Sequence, residues 1–594
     1  MLRMHQFVGR FVGTLIFTVG FLASGMPVLQ GATLSTSGLM GVVKSSNGKP
    51  LEGVTVSARA ANATVTTSVY TNAAGEYLFP ELADGQYRVW AQAVGFQLAR
   101  SEQSISANRK VQQNFALKPL ADFHRQLSSV EWANSLPSDS AEDRRMNVAL
   151  NQMCTTCHIT GFLLSKRFDA AGWGLMIDYM LKTQLGRDPE AGKLVQAYKD
   201  DLVAYLTRVR GPNPSPMKFK PLARPAGDAA AVVVTEYDLP RGDDPNYVFS
   251  QSGSDWSEGI PSRFEMEETH DAVVGKDGNV WFTDFVTPER TLGKLDPKTG
   301  HITGYKLADK DGLAVRTHGI ISDHKGNLWL TNGSEGTMLK FDPKTEKFQR
   351  FPKPDNLSKG VGGMIQVDSK GNLWTTQSNG AFRLNPETGE YTEYKSVTPG
   401  GEPYGITIDA EDNAWFAQLQ ADKVGFVDGR TGKIGEVATP PVDEEVNPKD
   451  REIAERTEKI NNVPVIYQGG PRRLGADRRG DAVWVAEYYA GKLAKIDIHT
   501  KKLTEYRLPN RYSHPYSAVV DKNHMVWINL QNADRIAKFD PFTEKFTEYP
   551  LPSLGSDSRF IDVDDSTDPP TVWIPYIRIN KIARVQFRTA SPAK

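Results

Sequence analysis

In the second half of the chain, apolar and polar positions recur in a fixed order. From about residue 262 that order comes round at roughly forty residues, the range of a propeller repeat. The clearest copy runs through His318-Gly319-Ile320, then Lys325 to Thr331 around Trp329, then Leu339-Lys340-Phe341-Asp342-Pro343 and Lys347-Phe348. Tryptophans stand at the equivalent point throughout: Trp281, Trp329, Trp374, Trp415, Trp484, Trp527 and Trp573. They predict seven blades over residues 233–588. The stretch Thr235 to Pro240 matches outer strands such as Thr392-Glu393-Tyr394 and Thr547-Glu548-Tyr549-Pro550. It precedes the first tryptophan, and the last repeat lacks its own copy. It is therefore expected to complete the last blade and close the ring, which removes open sheet edges. Turns such as Asp368-Ser369-Lys370-Gly371-Asn372 read as hairpin turns, since they lack the full ligand loop of a calcium site.

Two other patterns precede the repeat. Residues 38–118 alternate short β-branched stretches, such as Val54-Thr55-Val56, with turn clusters such as Asn47-Gly48-Lys49-Pro50, and predict a small β-sandwich. Residues 122–210 change to helical spacing. One helix is expected to end at Cys154, another spans Ala170 to Leu181, and a third runs from Pro189 to Val209 with Leu194, Val195, Tyr198, Leu202, Tyr205 and Leu206 on one side. Residues 211–232 are Pro-rich and read as a semi-rigid linker. The fold class expected is multidomain and mainly β, with a small α-helical domain between sandwich and propeller. An extra charged stretch, 441–469, lies between the fourth and fifth blades and reads as a lid, a docking surface or a solvated helical insertion.

The first 32 residues carry Arg3 and Arg10, an apolar run from Phe11 to Leu22, and then small residues. This is the order of a secretory signal peptide, and the alternative is an uncleaved anchor. No later segment approaches a transmembrane run. Lysine plus arginine (70) balances aspartate plus glutamate (71) over 594 residues, so no global charge points to nucleic acid. A periplasmic or secreted bacterial protein is expected.

The chain has two cysteines, in Cys154-Thr155-Thr156-Cys157-His158. This C-x-x-C-H run is the attachment motif of c-type haem: the cysteine sulfurs form thioethers and the histidine ligates iron. A thioredoxin-like site would need a βαβ setting, and a zinc site further ligands nearby. Covalent haem attachment outside the cytoplasm agrees with the export signal. With both cysteines used, no disulfide remains. The candidates for the opposite iron ligand are Met180 first, then Met176 and Met217.

Along the propeller, the segment eleven residues before each tryptophan and the position three after it are polar and differ from blade to blade. They include Glu268, His270 and Asp284; His318 and Asn332; Gln377; Tyr404 and Gln418; Arg473 and Glu487; and His514 and Tyr516. Such variation is what a ligand pocket on a central channel requires, and a water-filled mouth is the alternative.

Three resemblances follow from these residues. Gly48 to Val54, Thr71 to Tyr77, Gly85 to Val89 and Gly95-Phe96 resemble the carboxypeptidase regulatory-like (transthyretin-like) family, which implies a non-catalytic module, either a passive spacer or a binder of cell-envelope carbohydrate. Three helices around the C-x-x-C-H run resemble a monohaem cytochrome c domain. Residues 233–588 resemble the streptogramin B (virginiamycin B) lyase family of seven-bladed propellers, which implies ester opening by elimination. That family's motif falls on Glu268-Thr269-His270 and on Trp281-Phe282-Thr283-Asp284, with aspartate where the family has a second glutamate. The resemblance implies His270 as general base and Glu268 with Asp284 as magnesium ligands. Three function classes emerge: an electron-transfer protein that meets a redox partner protein or a small molecule, a magnesium-dependent C–O lyase, and a haem-linked sensor.

Overall fold

The computed structural model describes residues 36–106, 109–155, 158–183, 189–240, 252–261, 269–285, 289–333, 335–358, 360, 362–456 and 466–588. The expected signal peptide, Cys157 and Glu268 lie outside the described residues.

The N-terminal module has strands β1 (Thr36–Ser45), β2 (Thr55–Ala60), β3 (Val65–Tyr70), β4 (Glu76–Pro80), β5 (Gly85–Gln92), β6 (Ala99–Ile105), β7 (Val111–Gln112) and β8 (Phe115–Leu117). β4, β1, β7 and β8 form one sheet, and β3, β2, β5 and β6 lie in another. Leu39, Val43, Val56, Val69, Phe79, Val89 and Phe115 fill the sandwich-like core between them.

This module is joined to the propeller region by strand pairing. Strand β9 (Val232–Asp238) pairs antiparallel with β3, Val65 opposite Tyr237 and Val69 opposite Val233. On its other edge β9 pairs with the strand Lys581–Phe587. A run of three valines suits a strand flanked on both edges. All seven residues of β9 are buried, so module and propeller region share one continuous eight-stranded sheet.

Six four-stranded antiparallel sheets (I to VI) follow in chain order, in a propeller-type arrangement. Their first strands are Thr269–Val274, Thr317–Ser322, Ile365–Val367, Pro403–Ile408, Pro471–Ala476 and Pro515–Val520. A further set, Asp562–Asp564, Thr571–Tyr576, Lys581–Phe587 and β9, belongs to the eight-stranded sheet. First strands of successive sheets touch, and Thr269–Val274 also touches Asp562–Asp564 and Thr571–Tyr576. A repeated turn holds four of the tryptophans in place. Asp323 accepts from the Asn327 backbone and side-chain amides (both 2.8 Å) and from Trp329 Nε1 (2.9 Å). The same carboxylate–indole bond joins Asp368 to Trp374, Asp409 to Trp415 and Asp521 to Trp527.

The helical region contains α1 (Ser129–Asn134), α2 (Ala141–Met153), α3 (Thr160–Leu164), α4 (Ala170–Thr183) and α5 (Pro189–Arg210). Reciprocal Ser140–Asp143 bonds cap α2, a capping box that satisfies N-terminal amides. The inserted stretch forms α6 (Pro448–Arg456), which packs on this region instead of lying in solvent. Buried Asp450 of α6 accepts from Arg145 Nε (2.7 Å), Tyr198 Oη (2.9 Å) and Tyr467 Oη (2.7 Å). Among the described residues, no helix is long and apolar enough to cross a membrane.

Candidate functional site

Strand pleating sends successive side chains to opposite faces, so a strand entering a channel normally offers it every second residue. A bulge breaks that alternation. Register shifts fall between Thr269 and Ala272, Thr317 and Ile320, Pro403 and Ile406, Pro471 and Leu474, and Pro515 and Ser517. The residues inside these gaps are His270-Asp271, His318, Tyr404, Arg472-Arg473 and Tyr516. They converge from five sheets into one buried cluster.

His270 and His318 lie ring against ring, centroids 3.7 Å apart. His270 Nδ1 bonds Asp271 Oδ1 at 2.7 Å, and His318 Nδ1 bonds the Gly363 carbonyl at 2.7 Å. Both partners accept, so each imidazole carries its proton on Nδ1 and presents Nε2 as an acceptor. Arg473 donates to both oxygens of Asp271 (2.9 and 3.1 Å) and to Gly363 O (3.0 Å). A side chain at Gly363 would strike His318 and Tyr404, which explains the glycine. Burial, reinforced at His270 by Arg473, holds both imidazoles well below their usual range, so they are neutral at pH 7.

Tyr404 Oη lies 3.3 Å from His318 Nε2 and 2.7 Å from Tyr516 Oη. Burial alone would raise the Tyr516 phenol, but Arg472, Arg559 and Arg473 together outweigh it and pull it down. Arg472 sits among three tyrosine rings, 4.2 Å from the Tyr516 centroid, 4.5 Å from Tyr488 and 5.3 Å from Tyr404. Beyond them, Asp557 accepts from Arg578 (2.9 Å) and Arg559 (3.3 Å). Burial works against its ionisation, but the two guanidiniums hold the Asp557 carboxyl well below the usual range.

The end of α2 is seated on this mouth. Asn151 donates to Tyr489 O (3.4 Å) and accepts from His514 Nε2; Gln152 donates to Gln468 O (2.9 Å). Tyr488 Oη donates to Thr155 O at 2.8 Å, inside the C-x-x-C-H run. Asn532 accepts from Thr160 N and donates to Thr160 Oγ1, both at 2.9 Å. Cys154 caps α2 and packs half-buried against the helical core. Burial and then Arg578 lower His158 to a pKa of about 4.

The structure thus gathers His270, His318, Tyr404, Arg473 and Tyr516, with His514 at the mouth. At the positions three after each tryptophan, bonds run to other partners. Asn332 bonds Glu335 and Thr337 beside its own strand end, Gln377 bonds the Asn379 amide, and Gln418 bonds Ser396 and Glu436. Glu487 is buried and its carboxyl raised, by burial and then by Glu505. Asp284 pairs across the strands with Thr269, and Arg290 Nε binds its carboxylate at 2.9 Å. These positions close second strands, where neighbouring loops and outer strands reach them. Of the methionines, Met176 is exposed, Met180 half-buried, and Met217 buried in the helical core. Asp271, Arg472, Asp557, Arg559 and Arg578 were not foreseen. The bulges that turn Asp271 and Arg472 inward have no mark in the sequence.

Comparison with known proteins adds to this geometry. Residues 261–448 match the virginiamycin B lyase family, and residues 38–118 match the carboxypeptidase regulatory-like domain. The virginiamycin B lyase of Nocardia farcinica (strain IFM 10152) is 22% identical over 231 residues, 36% of this chain and 77% of that protein. A solved streptogramin B lyase is 21% identical with a TM-score of 0.47, covering 61% of this chain and 100% of its own. A catalytically inactive virginiamycin B lyase from Staphylococcus aureus, solved with quinupristin, is 18% identical with a TM-score of 0.45, covering 60% and 100%.

Proposed function

We propose that the chain is an exported c-type haem protein in which the haem-bearing segment and the propeller channel make one site. A small molecule held in the channel exchanges electrons with the haem, which passes them to or from a partner protein. The observation behind this reading is the seat of Asn151, Thr155 and Thr160 on Tyr488, Tyr489, His514 and Asn532. In this reading the sheets are seven blades of a closed ring, completed by β9, and the helical region is a cytochrome c domain.

The donor set fits a haem. Cys154 stands half-buried at the C-terminal cap of α2, and the depressed His158 keeps the neutral imidazole that iron ligation needs. Cys154 and Cys157 would hold the macrocycle and His158 the iron, with Met180, Met176 or Met217 opposite. When bound, the haem supplies one-electron transfer. The chain's own groups orient the ligand: two imidazole acceptors, a tyrosine pair and a set of guanidiniums, with His318 and Tyr404 the part-exposed members. Production alongside cytochrome c maturation machinery should give one covalent haem per chain, retained through acid extraction and lost in Cys154→Ser. A folded but haem-free wild type would refute it.

The family match over 261–448 favours a second reading, a C–O lyase. His270 Nε2 would take an α-proton, the C–H electrons would form the new double bond, and the ester C–O bond would break to release a carboxylate beside the guanidiniums. Asp284 is not open to a magnesium ion, because Arg290 already holds its carboxylate, and three arginines set a positive field at His270. Such activity would vanish in His270→Ala and survive in Cys154→Ser.

A further inference from the structure

The guanidiniums of the channel are unequally served. Arg473 has Asp271 and the Gly363 carbonyl, while Arg559 and Arg578 share Asp557. Arg472 is only 6% exposed, yet its Nε and Nη1 are buried with no hydrogen-bond partner. Tyrosine rings cover it, and rings satisfy charge but not directed N–H groups. Leaving charged donors dry is costly.

We infer that Arg472 binds a carboxylate at the mouth of the channel. Either edge of the planar guanidinium can meet both oxygens of a carboxylate, which a lysine cannot do. The place of Arg472 narrows the source. Tyr488, 4.5 Å above it, bonds Thr155 within the C-x-x-C-H run, so Arg472 lies one ring below the attachment segment. A haem propionate is one source and rests on the haem reading. The carboxylate of a channel ligand is the other and does not.

The test uses the full-length protein as purified, wild type against Arg472→Gln and Arg472→Lys, with folding checked by circular dichroism. The readouts are the haem midpoint potential and calorimetric binding of sodium benzoate, with benzamide as the neutral control. A propionate partner gives a lower midpoint potential in Arg472→Gln, because a positive charge that favours the ferrous state is gone. Arg472→Lys largely restores it, and wild type ignores benzoate. A free carboxylate partner gives saturable benzoate binding to wild type, with benzamide inert. That binding weakens by about tenfold or more in Arg472→Gln, and the potential stays put. Neither effect in folded protein overturns the assignment. A haem-free preparation refutes the haem reading alone. The benzoate titration then decides for or against Arg472, and on wild type it needs no variant to fold.

Discussion

The outer hairpins and the inner channel of the propeller region are built from the same strands by opposite means. On the rim, one arrangement is used again and again: an aspartate closes a turn and receives the indole N–H of a tryptophan six residues later, as in Asp323–Trp329 and Asp521–Trp527. Each copy is local and independent of the others. In the channel no contact is used twice. Arg473 reaches Asp271 across 202 positions, Tyr404 meets Tyr516 across 112, and Tyr488 meets Thr155 across 333. The rim is redundant, and the channel exists only when distant sheets come together. A repeat protein can therefore vary its channel freely while its rim keeps the fold.

Several substitutions sharpen that contrast. The largest effect is expected from Arg473→Leu, which strands the buried Asp271 carboxylate. It should cost about 3–5 kcal/mol in denaturant unfolding, against about 1–3 kcal/mol for Asp323→Ala on the rim. If the two losses were equal, channel and rim would not differ in kind.

His514 gives a pH signature of the docked helical region. Burial and then Arg472 lower it to about 3, so between pH 6.5 and 3 the folded state binds fewer protons than the unfolded chain. Its contribution is complete above about pH 6.5 and is lost as pH falls towards 3, on the order of 3 kcal/mol by pH 4.5. His514→Asn keeps a residue that tolerates the left-handed backbone at this position (φ 52°). Melting curves should lose stability less steeply below pH 6.5 in that variant than in wild type.

The smallest effects test independence directly. Asp323→Ala and Asp521→Ala should add within about 0.5 kcal/mol, as distant sites do. Tyr404→Phe and Tyr516→Phe share a bond and should depart from additivity by about 0.5–3 kcal/mol. A double-mutant cycle on each pair reads the difference.

How much of this was legible in the sequence follows the same division. The rim repeats, the sandwich-like module and the helix leading to Cys154 were readable, because each rests on local periodicity and turn chemistry. His270, His318, Tyr404, Arg473 and Tyr516 were found because their positions break the repeat with polar residues. Asp271 and Arg472 were missed because strict alternation places them away from their neighbours, and only the bulges turn both residues of each pair inward. Asn332, Gln377 and Gln418 bond partners near their own strand ends, a use of polar variation that the repeat pattern does not distinguish from lining a channel. The seat of α2 on Tyr489 and Gln468, and of α6 on Arg145, depends on packing between regions that no local pattern records.

That seat carries the account, and one amide reports on it. Thr160 donates its backbone N–H to the Asn532 side chain, 372 positions away. Hydrogen–deuterium exchange should find this amide slow in wild type and markedly faster in Asn532→Ala, with α5 unchanged. Fast exchange at Thr160 in the folded wild type would mean that the C-x-x-C-H segment does not rest on the channel, and the single-site account would fail.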